Sequence, residues 1–442
     1  MNTIERDLKH IWHPCMQMKD FEQCPPIVVH HAKGIYLETN LGRLIDAQSS
    51  WWCKSLGHQH PRVKSAIEAQ LAIFEHIISA NCTHDLLAEF GQTIEEITGL
   101  QHVFFASDGS CAVEIAMKLA MQKEQIMREN PRKLFVNLAN AYHGETLATL
   151  AVSDLGLYKS AFHHVSLPTF TIEDIPYVTS QNDCLHESSD TLWQRVLPQL
   201  KAIEKDCIAL ILEPLLQGAG GMKLYTVDFL SRLCRWAKQN DILIIADEIM
   251  TGIGRVGSWL AFDYLDIKPD LICLSKGLTS GTIPMSCVAI SHPIFECFYD
   301  DFQSGKSFLH SHTYSGHALG IAAALATIET IKSEGIFNHV NELGLQMANA
   351  MKHVAEKTAC LANVRQFGAM VAADIEDIAI DRPGFQVFQK ALQQGALMRS
   401  LGKTIYWLPP LNSPSDIIAQ LADITEKSIN AVRNQAKAQA FI

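Results

Sequence analysis

From about Ser49 to about Thr313, short apolar runs alternate with segments of helical period. The runs are Val103–Ala106, Leu134–Leu138, Ile208–Glu213, Ile242–Asp247, Leu271–Leu274 and Cys287–Ile290. Uninterrupted apolar runs of this kind read as strands covered on both faces, the pattern of a parallel sheet. Between them, Val113, Ala116, Met117 and Ala120 recur at i, i+3, i+4 and i+7, the stripe of a helix that packs on one side. Phe229 to Lys238 reads the same way. The alternation predicts a mainly parallel sheet sandwiched by helices. Upstream, Gly34–Glu38 and Arg43–Asp46 flank a Thr39-Asn40-Leu41-Gly42 turn and predict a hairpin. Downstream, helical patterns run from Gly316 to about Ser333 and from Asn338 to Lys357. Strands at Met370–Ile375 and Thr404–Leu408 and helices around Gly384–Gln394 and Pro414–Arg433 complete the chain. The expected fold class is α/β. Residues 49–315 form a large domain, with residues 1–48 and the connecting helix and remainder of 316–442 forming a smaller α+β domain from both chain ends.

A chain of 442 residues is long enough for two such domains. Its formal net charge of −11 argues against a nucleic-acid partner. No run of about 18 apolar residues is present, so no membrane span is expected, and the first residues lack the apolar core of a signal peptide. The 12 cysteines show no C-x-x-C spacing, and Cys207, Cys273 and Cys287 sit in apolar contexts. Buried thiols suit a reducing compartment, so the expected location is cytoplasmic. The His58/His60 and His310/His312 pairs lack the i, i+4 spacing of a helical zinc site, and no metal is expected.

Two of the apolar runs lead into chemistry. One ends in an acid, Asp247; the other is followed by an amine, Lys276. Ligands of open α/β sheets bind at the carboxyl ends of the strands. An acid and a lysine placed there suit pyridoxal 5'-phosphate, the lysine holding it as a Schiff base and the acid pairing with its pyridinium nitrogen. Each residue alone also reads as a helix cap, an ion-pair partner or a solvated side chain. Gly109-Ser110 ends a strand and opens a helix, which fits either a plain cap or a phosphate site at the positive helix end. Tyr142, beside His143-Gly144, could stack on a flat ring or simply pack. Arg399 could take a substrate carboxylate or lie on the surface. Gly252-Ile253-Gly254-Arg255-Val256-Gly257 fits the spacing of a dinucleotide-binding loop. Its placement does not: four residues separate it from the strand and no long helix follows before Pro269.

Together these residues resemble the class III (ω-type) aminotransferases of fold type I, over nearly the whole chain. Ile11-Trp12-His13-Pro14, Ser49-Ser50-Trp51-Trp52, Gln217–Met222 and Gly402–Tyr406 resemble the members of that family that act in biotin synthesis. Those members convert 8-amino-7-oxononanoate to 7,8-diaminononanoate with S-adenosylmethionine as amino donor. The resemblance implies a pyridoxal 5'-phosphate enzyme in which Lys276, Asp247 and Tyr142 are catalytic. Gly109, Ser110, Glu213 and Thr313 would join them in binding the cofactor, Thr313 from a neighbouring subunit of a homodimer. Trp51, Trp52, Gly277, Arg255, Arg399, Tyr406 and His312 would bind substrate, Arg399 through its carboxylate. Four positions depart from the family pattern. Cys15 stands for a tyrosine, Ser107-Asp108 permutes the residues before Gly109, His312 replaces a proline, and Leu401 an aromatic. Cys15 leaves lysine open as the donor. A transaminase of the acetylornithine, 4-aminobutyrate or β-alanine type is the other reading, which Ser49-Ser50-Trp51-Trp52 argues against.

Overall fold

The computed structural model describes residues 1–162, 164–165, 167–180 and 188–439. At its centre lies a seven-stranded sheet. The spatial order is His102–Ala106, Ser286–Ile290, Leu271–Leu274, Leu243–Asp247, Cys207–Leu212, Leu134–Leu138, Thr169–Ile172. Only Ser286–Ile290 runs against the others, pairing antiparallel with both neighbours. Cys207–Leu212, Leu243–Asp247 and Leu271–Leu274 are buried along their whole length. Alternate residues of these strands feed two cores. Ile245, Ile211 and Cys273 pack with Ala112, Val113 and Ala116 of the helix Gly109–Met127. Ile244, Ala246 and Ile272 join Phe229 and Trp236 of the helix Val227–Gln239. The expected sandwich is present, and each predicted strand of this sheet agrees to within one residue at either end.

Thr169–Ile172 was not expected. It lies at the sheet edge, mostly half-buried, so its threonines are tolerated where an interior strand would carry apolar residues. Val29–Lys33 is likewise an edge strand with mostly exposed side chains. It pairs with Tyr36–Thr39, which forms the predicted hairpin with Gly42–Asp46. Ala396–Leu397 adds to this sheet in parallel, Ala396 opposite Ile45. The first and last parts of the chain therefore share one sheet. A second sheet, in the order Leu361–Gln366, Val371–Ile375, Thr404–Trp407, Ser400–Leu401, is antiparallel throughout. The helices Ile336–Thr358, Pro383–Gln394 and Asp416–Gln439 pack around it. Cys207, Cys273 and Cys287 are buried free thiols; Cys184 lies outside the described residues. No helix among the described residues is long and apolar enough to cross a membrane.

One ion-pair network fixes the large sheet to the helix that opens at Gly109. Glu124, 1% exposed, accepts from Arg132 Nε at 3.0 Å and lies 3.2 Å from Arg128 Nε. Arg132 also donates to the carbonyls of Asn240 at 3.2 Å and Asp241 at 2.6 Å. These carbonyls precede the strand that carries Asp247, so the network sets that strand against the far end of the helix. Removing Arg132 leaves the buried Glu124 only the part-exposed Arg128 and costs about 3 kcal/mol, the low end for a broken buried pair. Arg132→Ala should therefore lower unfolding free energy by about that amount in urea titrations. A loss below about 1 kcal/mol, the range of exposed pairs, would contradict it.

Candidate active site

The parallel strands share a direction, so their carboxyl ends meet along one edge of the sheet. Each delivers part of a single cleft of about 1230 Å³. Gly109 and Ser110 follow His102–Ala106, and Tyr142 to Glu145 follow Leu134–Leu138. Glu213 follows Cys207–Leu212, Asp247 closes its own strand, and Lys276 comes just after Leu271–Leu274. Asp247 and Lys276 arise from neighbouring strands, with Asp247 paired to Cys273.

Asp247 is 4% exposed. Its Oδ2 lies 2.8 Å from His143 Nδ1, and its Oδ1 accepts the Ile249 N–H at 3.2 Å. The adjacent Glu248 turns away from the cleft, accepting the N–H groups of Ala261 and Phe262. The buried Nε2 of His143 has no partner among the described residues. Glu213 accepts the N–H groups of Tyr142 at 3.0 Å and Gly218 at 2.9 Å, one on each oxygen. Burial pushes its carboxyl up to about 7, against the opposing pull of His143. Burial also lowers the Lys276 amine below its ordinary value, while the charges of Asp247 and Glu213 resist. A lysine shifted this way is more often neutral, the form that attacks a carbonyl. Its Nζ sits 4.5 Å from the Trp52 ring centroid. Lys276 has φ of 43°, a left-handed conformation that costs a non-glycine residue about 1–2 kcal/mol. Strain of this kind persists where the surroundings hold it, and clusters at functional positions.

At the other end of the cleft the helix Gly109–Met127 begins. Asp108 caps it by accepting the Cys111 N–H at 3.0 Å. A Cβ on Gly109 would come within 2.9 Å of Ile249 Cδ1, so glycine lets the helix end approach the loop after Asp247. Ser110 Oγ accepts the Glu145 N–H at 3.3 Å. Gly144 makes this contact possible: its φ is 125°, and a Cβ there would meet Ser110 Oγ at 2.2 Å. The result is a helix N-terminus open to an anion beside a tyrosine.

Trp51 and Trp52 reach the cleft from a left-handed turn, with Ser49, Ser50, Trp51 and Trp52 all at φ between 45° and 74°. Trp52 Nε1 donates to Tyr406 OH at 3.1 Å, deep in the wall. Burial pushes the Tyr406 hydroxyl up to about 12, so it stays protonated. Trp51 is nearer the mouth, its ring 4.2 Å from the Arg399 guanidinium. Arg399 donates to the Cys15 carbonyl at 3.3 Å.

Four predicted site residues lie elsewhere. Arg255 is 3% exposed and donates to the carbonyls of Ala369 at 3.0 Å and Pro409 at 2.7 Å, outside the cleft. Its expected contact with substrate is corrected to a packing role, because those carbonyls take its guanidinium. Gly277 lies behind the cleft lining, where a Cβ would sit 2.5 Å from Ser55 Oγ. Its place is therefore also one of close packing. Thr313 is exposed and His312 turns to His310, their Nε2 atoms 3.1 Å apart; neither lines the cleft of its own chain. Conversely, His143, Glu145 and Tyr158 line the cleft without having been expected. The Tyr142-His143-Gly144 sequence marked the loop but not the histidine's bond to Asp247.

The donor set fits pyridoxal 5'-phosphate. The helix N-terminus at Gly109 and Ser110 suits the phosphate, and Asp247 the ring nitrogen. Tyr142 suits the ring face, and Lys276 the aldehyde carbon. The class-III aminotransferase family model matches residues 18–429. The adenosylmethionine-8-amino-7-oxononanoate aminotransferase of Helicobacter pylori is 36% identical over 415 residues, 92% of this chain and 93% of that one. Its Synechococcus elongatus counterpart is 35% identical over 437 residues, 95% and 99% of the two chains. The crystal structure of the enzyme of that name from Methanocaldococcus jannaschii superposes with a TM-score of 0.89 at 27% identity, covering 97% and 98%. An amine transaminase from an uncultivated Pseudomonas species, in its pyridoxal-phosphate-bound form, gives 0.85 at 27% identity, covering 97% and 99%. With the sheet, the cleft and these likenesses in agreement, the chain belongs to the class-III aminotransferases, pyridoxal-phosphate-dependent enzymes of fold type I.

Proposed function

We propose that this enzyme transfers an amino group to 8-amino-7-oxononanoate, giving 7,8-diaminononanoate for biotin synthesis, with S-adenosylmethionine as donor. The convergence of Asp247 and Lys276 in one cleft carries the transaminase chemistry. The relatives that share this chain's full length support the substrate. Pyridoxal 5'-phosphate, when bound, supplies the aldehyde that carries the amino group between substrates and the ring that takes up carbanion electrons.

The protein's part follows from its side chains. Gly109 and Ser110 anchor the phosphate at the helix N-terminus. Asp247, steadied by His143 and the Ile249 N–H, keeps a proton on the ring nitrogen. Lys276 holds the cofactor covalently, then moves a proton at the substrate's reacting carbon. Glu213 fixes the loop that carries Tyr142, whose side chain would face the cofactor ring. Trp52 and Tyr406 wall the apolar length of the substrate and exclude water. Arg399 pairs with the acceptor's carboxylate at the mouth.

Residues 49–315 serve as the cofactor-binding domain, with 1–48 and 316–442 as the smaller one. The exposed position of Thr313 supports a homodimer in which it completes the phosphate site of the second copy. Cys15, at the mouth beside Arg399, supports one second reading, in which lysine is the donor.

The deciding experiment incubates the holoenzyme with 8-amino-7-oxononanoate and either donor and identifies the diamine by mass spectrometry. Diaminononanoate with S-adenosylmethionine is the expected result. Turnover of 2-oxoglutarate with none of the oxononanoate would favour the acetylornithine or 4-aminobutyrate type. Arg399→Ala should raise KM for the acceptor about 10- to 100-fold, the worth of a charge-assisted bond. An unaltered KM would move the carboxylate site elsewhere.

A further inference from the structure

At the mouth of the cleft, side chains from three parts of the chain meet. Cys15 offers its carbonyl to Arg399 Nη2 at 3.3 Å and its sulfur to the Tyr158 hydroxyl at 4.0 Å. The same sulfur lies 3.9 Å from Glu145 Oε1, which in turn accepts from Tyr142 OH at 2.8 Å. Tyr158 stands edge-on to Tyr142, ring centroids 6.1 Å apart. Tyr158 is 36% exposed and lines the cleft.

The Tyr158 hydroxyl is thus spent on a poor acceptor. Thioether and thiol sulfur accept weakly, and 4.0 Å is the outer limit of such a contact. A carboxylate oxygen is a far better partner for an O–H donor, with bonds about twice as strong as neutral ones. Burial and the nearby Cys15 and Glu145 raise the Tyr158 hydroxyl above its ordinary value, and Arg399 opposes them. It is therefore a neutral donor at working pH and does not repel an anion.

We infer that Tyr158 is a specificity-determining residue. It donates its phenolic hydrogen to the substrate carboxylate that Arg399 holds, exchanging the weak bond to Cys15 for a charge-assisted one. This rests on the reading of Arg399 as the carboxylate site. The Tyr158 hydroxyl faces the small Cys15 side chain at the mouth. Arg399 provides the charge, and Tyr158 adds direction, so the pair selects ketones that carry a carboxylate at the right distance from the carbonyl.

The test compares the holoenzyme with Tyr158→Phe on 8-amino-7-oxononanoate and on its methyl ester. In a ping-pong reaction kcat/KM for the acceptor reports only its own half-reaction, so the donor cannot mask the effect. Tyr158→Phe keeps the ring and its packing and removes only the hydroxyl. It should lower kcat/KM for the acid about tenfold, the worth of one bond to a charged group. For the ester, which has no anion to bind, it should change kcat/KM less than about twofold. Equal losses on acid and ester would show a merely structural role and overturn the proposal, as would an undiminished kcat/KM on the acid. If the wild-type enzyme turns over no oxononanoate, the assignment of substrate fails separately. The comparison is then made on whichever carboxylate-bearing ketone it does accept and that ketone's ester, with the same expected contrast.

Discussion

Lys276→Ala should abolish transamination, lowering kcat by about 10⁴-fold or more. It removes both the covalent anchor and the base that moves the proton, the latter alone worth about 10²–10⁴. The structure locates the loss. The amine lies over the Trp52 ring, close enough to Asp247 and Glu213 for both carboxylates to bias it. Among the described residues, no other lysine that lines the cleft stands beside these acids. Folding should survive, because the change removes a desolvated amine and leaves the left-handed backbone position no more strained than before. Steady-state assay and circular dichroism check the two statements together. Partial recovery of the rate by added methylamine would distinguish a missing base from a collapsed site. A variant retaining more than about one per cent of the rate would place the proton transfer on another group.

Asp247→Asn should be nearly as damaging and for a different reason. Asparagine is close to isosteric, and the helix end at Gly109 still receives the phosphate, so the cofactor remains bound. The carboxylate's charge is lost, and with it the preference for a protonated ring nitrogen. Asp247 would then no longer hold the proton that makes a bound ring an electron sink, and kcat should fall by about 10²–10⁴-fold. The neighbouring His143, whose Nδ1 faces the acid at 2.8 Å, then meets an amide instead of an anion. The absorbance spectrum of the bound cofactor should shift with the loss of ring charge. An unchanged rate with unchanged spectrum would exclude Asp247 as the partner of the ring nitrogen.

The chemistry was legible in sequence where a local pattern ended at a functional side chain. Apolar runs that stop at Asp247 or just before Lys276 state both a buried strand and its reactive end. Gly109-Ser110 was legible for the same reason, at a strand-to-helix junction. His143 was not. Nothing in its neighbours announces a bond to an acid 104 positions away, which only the order of strands in the sheet creates. Trp51 and Trp52 stand out as a motif, yet their four-residue left-handed turn carries no glycine to signal it. Arg255 is placed at the substrate by resemblance alone, since nothing in its own glycine-rich neighbourhood shows where its guanidinium goes. Its two carbonyl partners, at Ala369 and Pro409, come from more than a hundred residues downstream. Thr169–Ile172 and Val29–Lys33 leave no such signal, because edge strands need no continuous apolar run. What sequence pattern encodes well is burial along one element. What it encodes poorly is which side chains the packing of distant elements brings face to face.

The central claim is that the cofactor is carried on the ε-nitrogen of Lys276. Borohydride reduction of the holoenzyme, followed by peptide mass spectrometry, tests it most directly. The account predicts a pyridoxyl group on the peptide containing Leu274-Ser275-Lys276-Gly277 and on no other. A label fixed to a different lysine, or cofactor released unmodified with the protein, would contradict it.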